Sequence, residues 1–184
     1  MKKGLIVVIA VIALIVVAAV GSYNSLVNKQ TNVEEQEANI NTQLQRRADL
    51  IPNLVTCVKS YAEHETEVFT AVTEAREKLL SAGSLSEKAE ADAEMTSALN
   101  RLVAIAESYP ELKADTVYVD LMDELAGTEN RIAYARQDYN SAVSTYNKAI
   151  KTFPAVIFAK MFGFEKAEMF ESTEAANEVP QVDL

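Results

Sequence analysis

The chain has 184 residues, enough for one ordinary domain with appendages. With 5 glycines, 4 prolines and no tryptophan, it carries too little turn chemistry for an all-β or loop-rich α/β fold. A net charge of −10 repels nucleic-acid phosphates, and no basic stripe with interleaved aromatics offsets it, so nucleic acid is excluded as the expected partner.

Residues 1–3 are a short basic end, in which Lys2 and Lys3 are the only charges before Lys29. LIVVIAVIALIVVAAV follows and is uncharged throughout. With Gly4 and Gly21-Ser22 it makes a segment, 4–22, just long enough to cross a bilayer as a helix. A helix is required because peptide groups in hydrocarbon find no water to bond. Leu5, Ile9, Leu14 and Val20 mark this anchor, and the lipid bilayer is its partner. A cleaved signal peptide ending near Ala19-Val20-Gly21 is the competing reading. The retained anchor is preferred, because the run is longer than most signal cores and a helical pattern continues directly from it. A buried core helix fits poorly, since the run is apolar on every side. The flanking lysines put the N-terminus in the cytoplasm and the acidic bulk outside, on a bias of two or three charges against one.

Residues 23–153 read as a helical bundle. Leu26, Gln30, Val33, Glu37, Ile40, Leu44, Arg47 and Ile51 step alternately by four and three, and the series runs on through Leu54, Val58, Tyr61, Glu65, Val68, Val72, Ala75 and Leu79. RRADLIPNLV (46–55) interrupts it chemically but not in phase. Two structures fit. Asp49 caps a new helix with Pro52 in its first turn, where a missing N–H costs little, which leaves Arg46 and Arg47 at a helix C-terminus where the dipole favours cations. Alternatively, one long helix kinks at Pro52. SAGSLSEK (81–88) then supplies a turn, with Gly83 as a stop and Ser84 or Ser86 as an N-cap. A further helix covers about Glu87 to Ser108, with Met95, Leu99, Leu102 and Ile105-Ala106 on one face. YPELKAD interrupts at Pro110. The last long helix is the most regular: Tyr118, Met122, Leu125, Glu129, Ile132, Arg136, Tyr139, Val143, Tyr146 and Ile150, ending near Phe153-Pro154. The pattern is all-α, an antiparallel up-and-down bundle of about four helical segments behind the transmembrane helix. An apolar segment, 154–171, follows; it is read as a cap over one end of the bundle or as an interfacial or docking strip. The acidic tail, 172–184, is expected to be disordered.

Catalytic apparatus is scarce. His64 is the only histidine; HETEV begins like a helical zinc motif but lacks the second histidine, and one cysteine adds only Cys57. His64 is read as a helix-face residue bonded to a neighbouring carboxylate, and Cys57 as a small buried residue. No phosphate loop or nucleophile elbow occurs. No catalytic residue, metal site or cofactor is expected. More informative are the charges at seam positions: Glu37, Arg47, Glu65, Glu129 and Arg136. A buried charge must be paired. Either Arg47 or Arg136 pairs with Glu129 or Glu65 across the bundle and fixes register, or the seam is shifted by one, with Ala48, Thr128 and Ala135 inward and the charges in water.

The chain also resembles a known family. QRRADLIPNLV, then Lys59, Tyr61, His64 and Glu65, then Ala75-Arg76, Tyr109-Pro110 with Leu112-Lys113-Ala114, GTENRIAYAR, Tyr139-Asn140, Tyr146-Asn147 and FGFEK together look like the LemA family, over about residues 5–171. Glu37 departs from it, standing where the family pattern usually has a tryptophan. The resemblance implies a single-pass protein of the bacterial cell (inner) membrane with an antiparallel bundle and no established catalytic residues. It also calls for a turn near Asp49, which favours the fresh helix start over the kink. The function expected is a non-enzymatic scaffold or adaptor acting through contacts with envelope proteins. A self-assembling, homo-oligomeric coat component and a metal-dependent enzyme or sensor using His64 are the alternatives.

Overall fold

A computed structural model describes residues 2–170. Glu171 and the expected disordered tail, 172–184, lie outside the described residues. The fold is all-α, a long apolar N-terminal helix followed by a helical bundle, with no strand among the described residues. The helices are α1 (Lys2–Lys59), α2 (Thr66–Ser81), α3 (Leu85–Ala106), α4 (Pro110–Lys113), α5 (Thr116–Ala149) and α6 (Ala155–Phe162).

The first long helix does not restart at Asp49. α1 runs unbroken for 58 residues with Pro52 inside it. Asp49 is no cap; its carboxylate accepts from Gln45 one turn back, at 2.8 Å. Arg46 and Arg47 therefore sit in mid-helix, not at a C-terminus. A proline in a helix interior leaves the carbonyl four residues earlier without its donor. Here that carbonyl belongs to Ala48, and the Arg76 side chain of α2 fills the gap, Nε donating to it at 2.8 Å. The proline is thus tolerated because a neighbouring helix satisfies the group it frees.

The reversal comes later, between Lys59 and Thr66. The amides of Tyr61 and Ala62 both donate to the Val58 carbonyl, and the Ser60 hydroxyl to that of Cys57, closing the last turn. The four-three apolar spacing passes straight through this turn, which is why periodicity is blind to it. At SAGSLSEK, Ser84 is the N-cap of α3 in a full capping box: its hydroxyl accepts from the Glu87 amide, and the Glu87 carboxylate takes the amides of Ser84 and Gly83. Those backbone donors hold the Glu87 carboxyl below the usual range. Pro110 opens the one-turn α4, a position that needs no N–H. Asp115 then caps α5, accepting from the amides of Val117 and Tyr118.

The described residues fall into two units. One joins residues 2–38 with Gln137–Met169, the other Asn39–Arg136 with Phe170. In the first, Leu26 and Val33 of α1 and Tyr139, Val143 and Tyr146 of α5 are buried, as are Ile150 just beyond α5 and Ala159 of α6. Large side chains from Leu5 to Val20 remain exposed. Among the described residues, α1 is the one helix long and apolar enough to cross a membrane. In the second unit the core draws on Ile40, Leu44, Ile51, Leu54 and Val58 of α1, Val72 and Leu79 of α2, Met95 and Leu102 of α3, Leu112 of α4, and Leu125 and Ile132 of α5.

Two outcomes are expected. Ser84→Ala removes the capping acceptor and lowers unfolding free energy by about 1 kcal/mol in urea titration. The second concerns Tyr61, whose hydroxyl donates to Asp115 at 2.7 Å. That bond is the largest cause holding the Asp115 carboxyl below its ordinary range and the Tyr61 phenol above its own. The lowered carboxylate stabilises the fold above its unfolded pKa, about 4, and the gain is lost as pH falls through the folded value. The raised phenol stabilises it below about pH 10, and that gain is lost as pH rises through the folded value. Tyr61→Phe should therefore make stability less dependent on pH at both extremes, read as melting temperature against pH.

Candidate functional site

The charged seam positions converge in the second unit. Arg47 of α1 is buried, its side chain 5% exposed, and Asp92 of α3 is deeper still at 2%. Arg47 Nη1 lies 2.7 Å from Asp92 Oδ1 and 2.8 Å from Glu129 Oε2 of α5. Its other terminal nitrogen donates to the Thr96 hydroxyl at 3.1 Å, and Thr96 in turn donates to the Asp92 carbonyl. The second Asp92 oxygen is taken by Arg136 of α5, whose guanidinium also lies over the Phe170 ring, 4.7 Å from its centre. Two guanidiniums thus meet two carboxylates with no net charge, and three helices are joined at one buried point. Arg76 ties α2 to the Ala48 carbonyl, one residue from Arg47.

Each seam alternative describes part of the arrangement: the small residues turn inward, but Arg47 is buried and paired, not in water. Ala48, Thr128 and Ala135 face inward and are buried, yet Arg47 beside them is buried too. The inward stripe is wider than a two-position seam. Thr128 resolves its own burial by donating its hydroxyl to the Leu125 carbonyl. Glu129 stays about half exposed and takes Arg47; Arg136 turns to Asp92.

Glu65 and His64 stand elsewhere. His64 is not on a helix face: it is exposed in the turn before α2. Glu65 is the N-terminal flanking residue of α2 and offers no side-chain cap. Arg46 pairs at the surface with Glu124, 3.0 Å away. Glu37 is half-buried in the first unit, near Tyr139. Burial, then the Glu37 charge, raises the Tyr139 phenol. Cys57 is half-buried; burial first, and then the Asp115 charge, push its thiol up, which opposes a nucleophilic role. Among the described residues no group of three or more histidines, cysteines and carboxylates could hold a metal. The anchor residues Leu5, Ile9, Leu14 and Val20 are all exposed.

Asp92 is the residue that sequence reasoning missed. Its signal was present, because it lies three before Met95 and seven before Leu99 on the buried face of α3. The criterion applied to charged residues at seam positions of the other helices would have found it.

In the first unit, three motif residues of α5 hold a passing backbone. The Tyr146 hydroxyl donates to the Glu165 carbonyl and that of Tyr139 to the Glu168 carbonyl, both at 2.8 Å. Asn147 makes two bonds to Ala167, donating to its carbonyl and accepting from its amide. An extended segment has free peptide groups and a mid-helix backbone has none to offer, so side chains supply the partners. This is how 164–169 becomes a strap lying along α5.

A carboxylate held between guanidiniums of two other helices joins those helices through charge-assisted hydrogen bonds. Comparison with known proteins agrees with the motifs. The model of the LemA family matches residues 36–184. The chain is similar to Magnetosome protein MamQ 2 of Paramagnetospirillum magneticum, 30% identical over 181 residues, covering 84% of this chain and 66% of that protein. It is similar to Magnetosome protein MamQ of Magnetospirillum gryphiswaldense at 28%, with the same coverage. It is 24% identical to Protein LemA of Metamycoplasma hominis over 166 residues, 90% of this chain and 74% of that one. The chain thus spans 66% of the length of the MamQ relatives.

The proline and arginine make a measurable pair. Arg76→Leu should cost roughly 1–3 kcal/mol by stranding the Ala48 carbonyl. In a Pro52→Ala background the new amide at position 52 takes that carbonyl, and the same change should cost clearly less. Urea unfolding of the four proteins reads this; equal costs in both backgrounds contradict it. Glu129→Gln, at a half-exposed partner, should cost about 1 kcal/mol or less.

Proposed function

We propose, from the premise that this chain belongs to the LemA family, that it is a membrane-anchored, non-enzymatic helical scaffold or adaptor acting through protein contacts. The observation that carries this reading is α1. One stretch of it, Leu5 to Val20, is apolar and exposed on every side, while later residues of the same helix form bundle core. Such a stretch suits hydrocarbon and is costly in water. The buried charges support the same reading, since each is engaged by another protein group. The MamQ relatives, named as magnetosome proteins, support a component of a larger cellular structure over a free-standing catalyst. The proposed location is the bacterial cell membrane, with the N-terminus in the cytoplasm and the bundle outside.

The test is photocrosslinking in native membranes from positions 119 and 134, where Val119 and Tyr134 are exposed. Adducts to one consistent set of membrane or envelope proteins are expected. Adducts only to further copies of the chain would replace the adaptor with the self-assembling alternative. Deleting 4–22 should move the chain from the membrane to the soluble fraction, and His64→Ala should leave both results unchanged.

A further inference from the structure

We propose that α6 is an interfacial helix that docks on the same bilayer that α1 crosses, with Ile157 and Met161 as its lipid-facing edge and Phe153 beside them in the preceding turn. The proposal rests on the reading of 4–22 as a membrane span. Ile157 and Met161 are four apart in α6, which places them on one side of it, and Phe153 stands in the turn just before the helix. Phe153, Ile157 and Met161 are 74%, 53% and 63% exposed, while Ala159 on the other side is 1% exposed and packed into the first unit. Large apolar side chains left in water together need an occupant.

The position of α6 in its unit identifies the occupant. The Tyr23 ring meets Phe162 edge-on, centres 5.0 Å apart, and Phe164 at 5.8 Å. Tyr23 lies three residues beyond Val20, the last residue of the apolar run, which is about 5 Å along the helix at 1.5 Å per residue. The end of α6 is therefore pinned at the level where the hydrocarbon core gives way to headgroups. Tyrosine belongs at that depth, and phenylalanine and isoleucine beside it can reach the acyl boundary. Gly163 fixes the geometry. It sits at φ 75°, in the left-handed region that glycine enters without strain, and ends α6 with a bond from its amide to the Ala159 carbonyl. The strap then departs along α5.

Charge points the same way. From Lys148 to Phe162 the chain carries Lys148, Lys151 and Lys160 and no acidic residue, in a protein of net charge −10. All three lysines are exposed. A local cationic rim on an acidic protein suits a surface of anionic headgroups, and long lysine stems let the ammonium stay in water while the stem covers apolar surface. Glu165 and Glu168 follow only beyond Gly163, on the strap.

Because the chain has no tryptophan, a single one reports its own depth. The full-length Ile157→Trp and Phe153→Trp variants are reconstituted in vesicles of mixed zwitterionic and anionic phospholipid, with and without lipids brominated just below the headgroup. Leu14→Trp serves as the control for the span and Tyr134→Trp as the control for the aqueous surface. The Ile157 and Phe153 variants should both show blue-shifted emission that loses most of its intensity to brominated lipid and is little affected by a soluble quencher. Tyr134→Trp should behave oppositely. If Leu14→Trp is quenched by bromine and the Ile157 and Phe153 variants emit as in water, the interfacial docking is overturned and the span stands. If their emission is blue-shifted but untouched by brominated lipid, the face is covered by protein and the bilayer is not its occupant. If Leu14→Trp escapes quenching, the span fails and the docking proposal fails with it.

Discussion

Asp92 is a carboxylate almost wholly removed from water, and two arginines from two other helices share it. A carboxylate in that position is tolerable only while its partners stay in place. That requirement reaches the whole second unit, because α1, α3 and α5 must each present one side chain at one point. Sliding any of them by a turn displaces its charge by about 5 Å and breaks the pair. Heptad-like apolar seams alone permit such slides, since leucine and valine pack almost equally well one turn on; a buried polar group does not. Glu129 completes neutrality from the rim, and Thr96 holds Arg47 from the side. The surface pairs, such as Arg46 with Glu124, are exposed to screening and entropy and add little to this.

Pro52 belongs to the same design at one remove. It costs α1 a hydrogen bond at Ala48, and the freed carbonyl becomes the attachment point for Arg76 of α2. A residue that reads locally as a helix breaker acts as a docking device for the next helix. The adjacent residue, Arg47, serves α3 and α5. RRADLIPNLV therefore places the connections to three helices on one stretch of α1.

Much of this was legible from the residues alone. The long apolar N-terminal stretch, the long helices and the turn at Ser84 follow from unbroken apolarity, four-three spacing and a capping pair. The first reversal was not legible where it occurs, because the spacing from Val58 to Val68 passes through it without a phase change. The proline pointed to the wrong place, since its unsatisfied carbonyl was answered by a side chain 28 residues away, which no local rule supplies. His64 likewise lies in the turn between α1 and α2, although the spacing runs through it as if on a helix face. Arg47 and Arg136 are visible as charges on an apolar stripe, but their shared acceptor, Asp92, lies among small and charged residues of α3 ahead of Met95. The segment 154–171 is visible as apolar sequence, yet the path of the strap within it depends on Tyr139, Tyr146 and Asn147 bonding its backbone, and backbone pairing leaves no trace in composition.

The central claim is that one buried ion centre specifies how the helices meet. The most direct measurement compares the unfolding free energies of the parent, Asp92→Leu, and the combined Arg47→Met, Asp92→Leu and Arg136→Met protein. Leaving two guanidiniums without their acceptor should cost about 3–5 kcal/mol, and replacing all three groups by apolar ones should recover most of that loss. An Asp92→Leu protein within about 0.5 kcal/mol of the parent would contradict the account.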